Sequence, residues 1–449
     1  MGMPAKDTAR LREKPTPGAT IPGRMDIPRW LSHVGRRLSG PTGIYSLMED
    51  LGQALERGSP ETIMMGGGNP GHVPAAEAVW RRRLGEMLAE PGLVEATLGD
   101  YDGPQGRRRF LVAVAEFFRR QCGWDIGPEH VTVTTGSQTG SFMLLNLIAG
   151  DDRETGRQRR VLFPIVPEYI GYADQLLCDG GLVGRRPLIE ERGPHRFKYH
   201  VDFGGLSLDD DLAAVCLSRP TNPSTNVVAH DELERLSEET RRVGALLIVD
   251  NAYGLPIPGI VFPPTPMPAW RDHMVMTFSL SKLGLPATRT GIVIGAPELV
   301  RRLAAMTAVV GLANPSIGQA IVEPLLRSDE ILGLCRDHIR PFYAARCQQT
   351  LEWIDELMGS DVAYAVHEPE GAFFLWLWLP RLSISDRELY ARLKARGVLV
   401  VPGSYFFAGL DQEWTHARQC LRISYGQPPE RVRRGIELLA EEARKAQRV

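Results

Sequence analysis

One lysine in this chain stands between two serines and an arginine, in the segment VMTFSLSKLGLPATRTGIVIG at residues 275–295. Residues 274–279 and 291–295 have the apolar pattern of strands, and glycine and proline interrupt regular structure between them. Lys282 is therefore predicted where a buried strand opens into a loop. Burial disfavours the ammonium form and leaves a neutral amine that can form a Schiff base with an aldehyde.

The side chains around this lysine are suited to binding a phosphate. Ser279 and Ser281, two apart on the predicted strand, project to one side, and Arg289 follows seven residues after the lysine. Two hydroxyls and a guanidinium supply hydrogen-bond donors and compensating charge. An aldehyde that carries a phosphate and binds a lysine is pyridoxal 5'-phosphate (PLP), so the segment predicts a PLP site. The alternative is a surface lysine among scattered serines.

Polar side chains follow other strand-like runs as well. The apolar run 245–249 ends in Asp250, whose buried carboxylate is costly unless a cation meets it, as a protonated pyridine nitrogen would. A helix cap or a structural salt bridge is the other reading of this aspartate. A small-residue turn begins at residue 136 before a predicted helix, so the backbone amides of Ser137 and Gln138 are expected to bind the phosphate. Arg422 lies on a predicted apolar strand, where its guanidinium could bind a carboxylate through two parallel hydrogen bonds.

The segment SLSKLGLPATRTG resembles the cofactor-lysine segment of the class I/II aminotransferases, which are fold-type I PLP enzymes. Other stretches resemble one branch of this family more narrowly: IMMGGGNP, DYDGPQG, FPIVPEYIGYAD, SRPTNPSTN, IVDNAYGLPIPGI and EGAFFLWLWLP. The similarity runs from about residue 42 to the C-terminus. It implies an α/β fold with a large domain, built on a mainly parallel sheet flanked by helices, and a smaller α+β domain.

The 449 residues exceed one typical domain, so either two lobes or one large α/β domain with an appended lobe is expected. We predict a disordered extension at 1–26 and an arm with part of the small domain at 27–75. The large PLP-binding domain is predicted at 76–325 and the C-terminal small domain at 326–449. The extension is rich in Pro, Gly and basic residues and lacks the apolar core of a secretory signal.

The resemblance assigns roles to individual positions. Tyr169 would stack on the pyridine ring, and both Asn222 and Tyr253 would hydrogen-bond its phenolic oxygen. Gly67 or Gly68 would contact the substrate carboxylate through a backbone amide, while Asn222 and Arg422 would orient that carboxylate. Tyr101 would reach the cofactor phosphate of a neighbouring subunit, which implies a homodimer with shared active sites. Relatives usually read NPTG where this chain reads NPSTN at 222–226, and the missing glycine is expected to change that loop.

Composition excludes several other classes of protein. The formal net charge of -2 gives no support to a nucleic-acid partner, and no apolar window approaches the roughly twenty residues of a membrane span. The six cysteines form no CxxC pair and the ten histidines no HExxH pair. These patterns favour a cytoplasmic protein with reduced thiols and no metal site.

The resemblance implies a transamination in which valine is the donor and pyruvate the acceptor, giving 3-methyl-2-oxobutanoate and alanine. Lys282 would move the Cα proton, with Asp250 and Tyr253 tuning the cofactor. The apolar segments 253–260 and 405–407 are expected to form a pocket for a small aliphatic side chain. Three alternatives share the cofactor residues: a PLP lyase, a PLP-binding regulatory module, and an aminotransferase or lyase acting on an unusual amino acid in specialised biosynthesis.

Overall fold

The structure is a computed structural model that describes residues 30–40, 42–56 and 62–447. The chain divides into two units, Met1–Gly40 and Pro41–Val449. In the first unit, a short helix follows Ser32, whose hydroxyl accepts a hydrogen bond from the Gly35 amide at 3.0 Å. This is the usual way of satisfying one free amide of a helix N-terminus. The extension predicted to be disordered, 1–26, lies outside the described residues.

The strands are short and most are apolar. In chain order they are β1 (Ile63–Met64), β2 (Val131–Thr135), β3 (Gly150–Asp152), β4 (Arg157–Phe163), β5 (Leu182–Gly184), β6 (Leu188–Glu191), β7 (Arg196–His200), β8 (Leu212–Ser218), β9 (Leu246–Asp250), β10 (Met274–Ser279), β11 (Thr290–Ile294), β12 (Ala365–His367), β13 (Phe374–Trp378), β14 (Val398–Leu399), β15 (Val401–Pro402) and β16 (Cys420–Ser424).

The helices alternate with these strands. They are α1 (His33–Leu38), α2 (Gly43–Glu56), α3 (Pro74–Ala89), α4 (Leu93–Gly99), α5 (Arg108–Cys122), α6 (Gly136–Ile148), α7 (His230–Arg242), α8 (Pro297–Gly311), α9 (Ile317–Arg327), α10 (Glu330–Leu334), α11 (Arg340–Met358), α12 (Asp386–Ala395) and α13 (Pro429–Gln447).

The larger sheet has eight strands in the order β2-β11-β10-β9-β8-β4-β3, with β5 also paired to β4. Its centre is parallel, from β10 through β9 and β8 to β4, whereas β11 runs antiparallel to both of its neighbours. Strands β8 and β10 are buried throughout, which explains their continuous apolar sequences. The carboxyl ends of β8, β9 and β10 meet at one edge, where an open α/β sheet binds ligands. The predicted α/β fold is confirmed.

A second sheet has the order β15-β16-β13-β12-β7-β6. Strands β6 and β7 belong to it through the parallel pairing of β7 with β12. A segment inside the predicted range 76–325 thus supplies two strands to a sheet whose other strands lie in the range 326–449. The domain boundaries themselves stay a prediction.

Three features of the chain outside the site also bear on the sequence expectations. The sequence predicts a long helical stretch over 331–358 that is kinked or interrupted at Pro341. In the structure, helix α11 begins at Arg340 after a π-helical turn, Cys335–Ile339, so Pro341 falls in the first turn of a helix, where proline is tolerated. No helix of the described residues is both long and apolar enough to cross a membrane. The six cysteines, all within the described ranges, form no disulfide.

Candidate active site

A cavity opens at the carboxyl ends of β8, β9 and β10. It brings together twelve of the predicted site residues. These are Gly68, Ser137, Gln138, Tyr169, Asn222, Asp250, Tyr253, Ser279, Ser281, Lys282, Arg289 and Arg422. Two other predicted positions, Gly67 and Tyr101, do not line it. Residues separated by more than 350 positions along the chain thus meet in one cavity.

Lys282 lies in a 3-10 turn, Leu280–Leu283, directly after β10. Its Nζ donates a hydrogen bond to the Gly68 carbonyl at 2.9 Å and lies 5.2 Å from the centre of the Tyr253 ring. Burial lowers the pKa of Lys282 to about 8, and the positive charges of Arg422 and Arg289 act in the same direction, against the carboxylate of Asp250. An amine with this pKa is partly neutral near physiological pH, as nucleophilic and base chemistry requires.

The phosphate-binding end differs in detail from the prediction. Ser281 is not on a strand with Ser279 but in the following 3-10 turn, because the Ser279 hydroxyl caps that turn by accepting from the Ser281 amide at 3.2 Å. Helix α6 begins at Gly136, within the turn that was predicted to precede the helix, so the Ser137 and Gln138 amides lie in its first turn. Ser137, Gln138, Ser279 and Ser281 nevertheless all line the cavity.

Gly136 and Arg289 lie in contact at this helix N-terminus. Gly136 has φ of +78°, and a Cβ at this position would overlap the Arg289 guanidinium. Glycine is therefore required for both the backbone conformation and the close approach of the arginine. The helix dipole, the amides of the first turn and the guanidinium are suited to binding a dianionic phosphate.

Asp250 is the last residue of β9 and is buried. Its carboxylate accepts hydrogen bonds from the Tyr172 hydroxyl at 2.6 Å, the Thr277 hydroxyl at 2.9 Å and the Ala252 amide at 3.1 Å. Burial raises the pKa of Asp250, and these hydrogen bonds act against the rise. All three donors are neutral, so the charge of the carboxylate is left for a cation in the cavity.

The two side chains that donate to Asp250 were missed by sequence reasoning. Tyr172 lies three residues after Tyr169, in the 3-10 turn Ile170–Tyr172, and its ring meets the Tyr169 ring edge-to-face at 5.3 Å. Thr277 is the register partner of Asp250 on the parallel strand β10. The pairing register of β9 and β10 would have identified Thr277, but the sequence does not specify that register.

Arg422 lies on β16 and is buried. Its Nη1 donates to the Asn222 side-chain oxygen at 2.7 Å and its Nη2 to the Gly66 carbonyl at 2.8 Å, while its Nε has no partner within the described residues. The guanidinium lies over the Phe374 ring at 4.3 Å. Burial lowers the pKa of Arg422 to about 10. A buried guanidinium with only neutral partners is suited to a carboxylate ligand.

The glycine segment 66–68 contributes carbonyl groups to the site. Gly66 accepts from Arg422 and Gly68 accepts from Lys282. Gly66 was not among the predicted residues. The amide contact expected of Gly67 or Gly68 with a substrate carboxylate stays a prediction.

The apolar wall of the cavity is formed by a different element from the one expected. Within the predicted segments 253–260 and 405–407, only Tyr253 lines the cavity. Instead Ile44, Leu47 and Met48 of α2 line it. Their spacing places them on one face of the helix. Apart from Tyr253, the two segments do not line the cavity, because both were judged by hydrophobicity alone, which does not distinguish a cavity wall from the core.

The loop 222–226 keeps the backbone conformation of a glycine loop without its glycine. Thr225 has φ of +64° and is buried, and its hydroxyl has no hydrogen-bond partner within the described residues. The loop is held by the Thr225 amide, which donates to the Thr221 carbonyl at 2.7 Å. Left-handed backbone is unfavourable for a β-branched residue.

Replacing Thr225 by glycine is therefore expected to raise the free energy of unfolding by about 1 kcal/mol, since relief of strain and of an unpaired hydroxyl exceeds the entropy cost of glycine. Thr225→Ala keeps the Cβ but removes the hydroxyl, so its free energy of unfolding should lie between those of the wild type and the glycine variant. Urea unfolding of the three proteins measures the order. A glycine variant less stable than the alanine variant would contradict the claim that the backbone at Thr225 is strained.

These residues fit PLP by the chemistry of their donors. A phosphate site, a buried carboxylate and an amine lie in one cavity, and Arg422 adds a carboxylate site beside them. Tyr169 also lines this cavity, where its ring is available for stacking. No group of three or more metal-ligating side chains is found in the part of the chain that the structure describes.

Comparisons with known proteins agree with this geometry. The family model described as aminotransferase class I and II matches residues 87–439. Valine–pyruvate aminotransferase of Escherichia coli K12 is 43% identical over 412 residues, which cover 92% of this chain and 97% of that protein. The structure of valine–pyruvate aminotransferase from Salmonella typhimurium LT2 has a TM-score of 0.82 at 42% identity and covers 90% of this chain and all of that one. A putative amino-acid aminotransferase from Psychrobacter arcticum has a TM-score of 0.89 at 36% identity, covering 93% and 98%.

Proposed function

Because this chain belongs to the class I and II aminotransferases and is a PLP-dependent enzyme, we propose that it transfers the amino group of valine to pyruvate. The products are 3-methyl-2-oxobutanoate and alanine. The observation that carries this proposal is the lining of the cavity: Arg422 can bind one carboxylate, and Ile44, Leu47 and Met48 contribute apolar side chains. The other lining cations, Lys282 and Arg289, belong to the amine and phosphate ends. A small aliphatic side chain suits this wall better than a second carboxylate does.

The side chains divide the work of this reaction. The Arg422 guanidinium binds the α-carboxylate of the substrate. Its hydrogen bonds to Asn222 and to the Gly66 carbonyl fix its orientation. The Lys282 amine, with its lowered pKa, takes the proton from Cα and returns it to the cofactor side. When bound, PLP supplies the electron sink that stabilises the charge left on Cα. Asp250 would hold the pyridine nitrogen of the bound cofactor protonated, and Tyr253 would donate a hydrogen bond to its phenolic oxygen.

The proposal is tested by following the absorbance of the bound cofactor while valine and then pyruvate are added to the purified enzyme. The expected result is loss of the PLP band with valine, its return with pyruvate, and stoichiometric 3-methyl-2-oxobutanoate and alanine by mass spectrometry. A PLP band that valine leaves unchanged would overturn valine as donor. Release of pyruvate and ammonia from a cysteine-type substrate, without a 2-oxo acid, would favour a lyase instead.

The homodimer and the cytoplasmic location belong to the same proposal. Tyr101 is 82% exposed and outside the cavity of its own chain, which agrees with a role in a neighbouring subunit. Sedimentation is expected to give twice the chain mass of 49.8 kDa, and Tyr101→Phe should weaken PLP binding. A monomer that is fully active would overturn the shared site.

Replacing Arg422 by lysine is expected to lower kcat/KM for valine about a hundredfold, because an ammonium cannot bind a carboxylate in two places and the site loses a buried bond to Asn222. Steady-state kinetics with valine and pyruvate measure the change. The matched control is Arg396→Lys, whose partners Glu441 and Glu442 lie outside the cavity. Equal kcat/KM values for the two variants would refute the carboxylate role of Arg422.

A further inference from the structure

Glu168 is a buried carboxyl group beside the active site that the reaction described above does not use. Only 3% of its surface is exposed. Its Oε1 accepts a hydrogen bond from the Ser218 amide at 2.8 Å. Its Oε2 accepts from the Ser218 hydroxyl at 2.6 Å and from the Tyr169 amide at 3.1 Å. All three donors are neutral, so Glu168 is not half of a salt bridge.

The two residues that Glu168 joins both line the cofactor cavity. Tyr169 begins the 3-10 turn whose Tyr172 donates to Asp250. Ser218 is the last residue of β8 and the register partner of Asp250 on β9. The Glu168 amide donates to the Phe406 carbonyl at 2.9 Å, and the Phe406 ring lies 5.3 Å from the Arg422 guanidinium. One residue thus connects the ring-stacking, pyridine and carboxylate parts of the site.

A buried carboxyl without a cation is costly, and the cost indicates what the group does. Burial raises the pKa of Glu168 to about 8, the hydrogen bonds act against the rise, and the nearby Asp250 charge adds to it. An apolar residue of similar size would avoid this cost but would leave two main-chain amides, those of Tyr169 and Ser218, without an acceptor. The carboxyl is therefore explained by the need to hold these two amides together.

We propose that Glu168 is a positioning residue of the active site: its carboxyl ties the Tyr169 turn to the end of β8 and so fixes the Tyr169 ring against the cofactor ring. Glutamine does not reproduce these contacts, because both oxygens of a carboxyl keep lone pairs whether or not it is protonated, whereas a carboxamide nitrogen cannot accept a hydrogen bond. A carboxamide has one oxygen, so in either orientation its NH2 group faces the Tyr169 amide or the Ser218 amide, donor against donor. The inference rests on PLP binding in this cavity but not on valine as the substrate.

The experiment compares the purified holoenzyme with Glu168→Gln. The dissociation constant of PLP, measured by equilibrium dialysis, is expected to rise about tenfold, since one hydrogen bond in a buried site is lost and another donor is left unpaired. The circular dichroism of bound PLP should decrease, because it reports how firmly the aromatic surroundings hold the ring. Glu442→Gln is the matched control: Glu442 is a buried carboxylate on α13, paired with Arg396 and Lys445 outside the cavity.

The control separates positioning from general stability. Glu442→Gln should lower the unfolding temperature but leave the dissociation constant and the dichroism of PLP unchanged. Wild-type values of both quantities in Glu168→Gln would overturn the proposal, as would equal changes in the two variants. If Glu168→Gln does not fold, Ser218→Ala is the deciding variant, because it removes only the hydroxyl donor to Glu168. It should raise the dissociation constant of PLP about two- to threefold. An unchanged dissociation constant would overturn the proposal. A wild-type enzyme that binds PLP but ignores valine would refute the donor and leave this test valid.

Discussion

Alanine in place of Lys282 is expected to lower kcat for transamination by at least about 10⁴-fold, because one side chain supplies both the covalent attachment and the proton transfer. The amine lies in the cavity with a pKa lowered to about 8, and the lining residues include no other lysine. Water cannot replace a base that is held against Cα, since proximity itself accounts for much of the rate. Stopped-flow measurement of the valine half-reaction gives the loss directly.

The control for this variant is Lys445→Ala, which removes a lysine on α13 that pairs with Glu442. It should keep the wild-type rate. Reduction with borohydride followed by mass spectrometry should find PLP attached to the peptide around residue 282 in wild type and in the control, and nowhere in Lys282→Ala. Attachment of PLP to another lysine, or a rate in Lys282→Ala within tenfold of wild type, would contradict the assignment of Lys282 as the cofactor-binding lysine and base.

The sequence predicted the positions that follow strands better than it predicted the contacts between them. Lys282, Asp250 and Arg422 were identified because each is an ionisable group next to an apolar run, and such groups are costly unless they have a ligand. The structure places all three in one cavity. The chemistry of single residues in an apolar setting was therefore sufficient for this part of the site.

The contacts that complete the site depend on tertiary structure. Tyr172 is 78 residues from Asp250 in sequence, and Thr277 reaches it only through the register of two parallel strands. Ser281 was placed on a strand because the predicted strand was continued past Ser279. In the structure the strand ends at Ser279, which caps the following 3-10 turn. Hydrophobicity also failed to identify α2 as the cavity wall, since a half-buried amphipathic helix has the same pattern wherever it docks.

Asp250 and Lys282 depend on each other electrostatically. The Asp250 carboxylate raises the pKa of Lys282, whereas Arg422 and Arg289 lower it together with burial. The amine therefore stays close enough to neutral to act as a base while a carboxylate remains beside it. Removing the charge of Asp250 would affect both the amine and any cation that the carboxylate meets.

Replacing Asp250 by asparagine is expected to lower kcat about 10³-fold, because an uncharged amide cannot keep a pyridine nitrogen protonated and a buried ion pair of this kind is worth several kcal/mol. The substitution preserves volume, and the neighbouring Tyr172 and Thr277 hydroxyls can each reorient to meet an amide. PLP should still bind through its phosphate at the N-terminus of α6. The variant should therefore hold cofactor but react slowly.

The measurement that isolates this effect is a single-turnover rate with valine at saturating PLP, together with the absorbance of the bound cofactor between pH 6 and pH 9. The matched control is Asp386→Asn, a buried carboxylate at the start of α12 whose Oδ2 accepts from the Ser404 amide at 2.8 Å. It should react at the wild-type rate even if it unfolds at a lower temperature. If Asp250→Asn also kept the wild-type rate, the charge of Asp250 would have no part in the reaction, and its burial would have to be explained by its hydrogen bonds to Tyr172, Thr277 and the Ala252 amide.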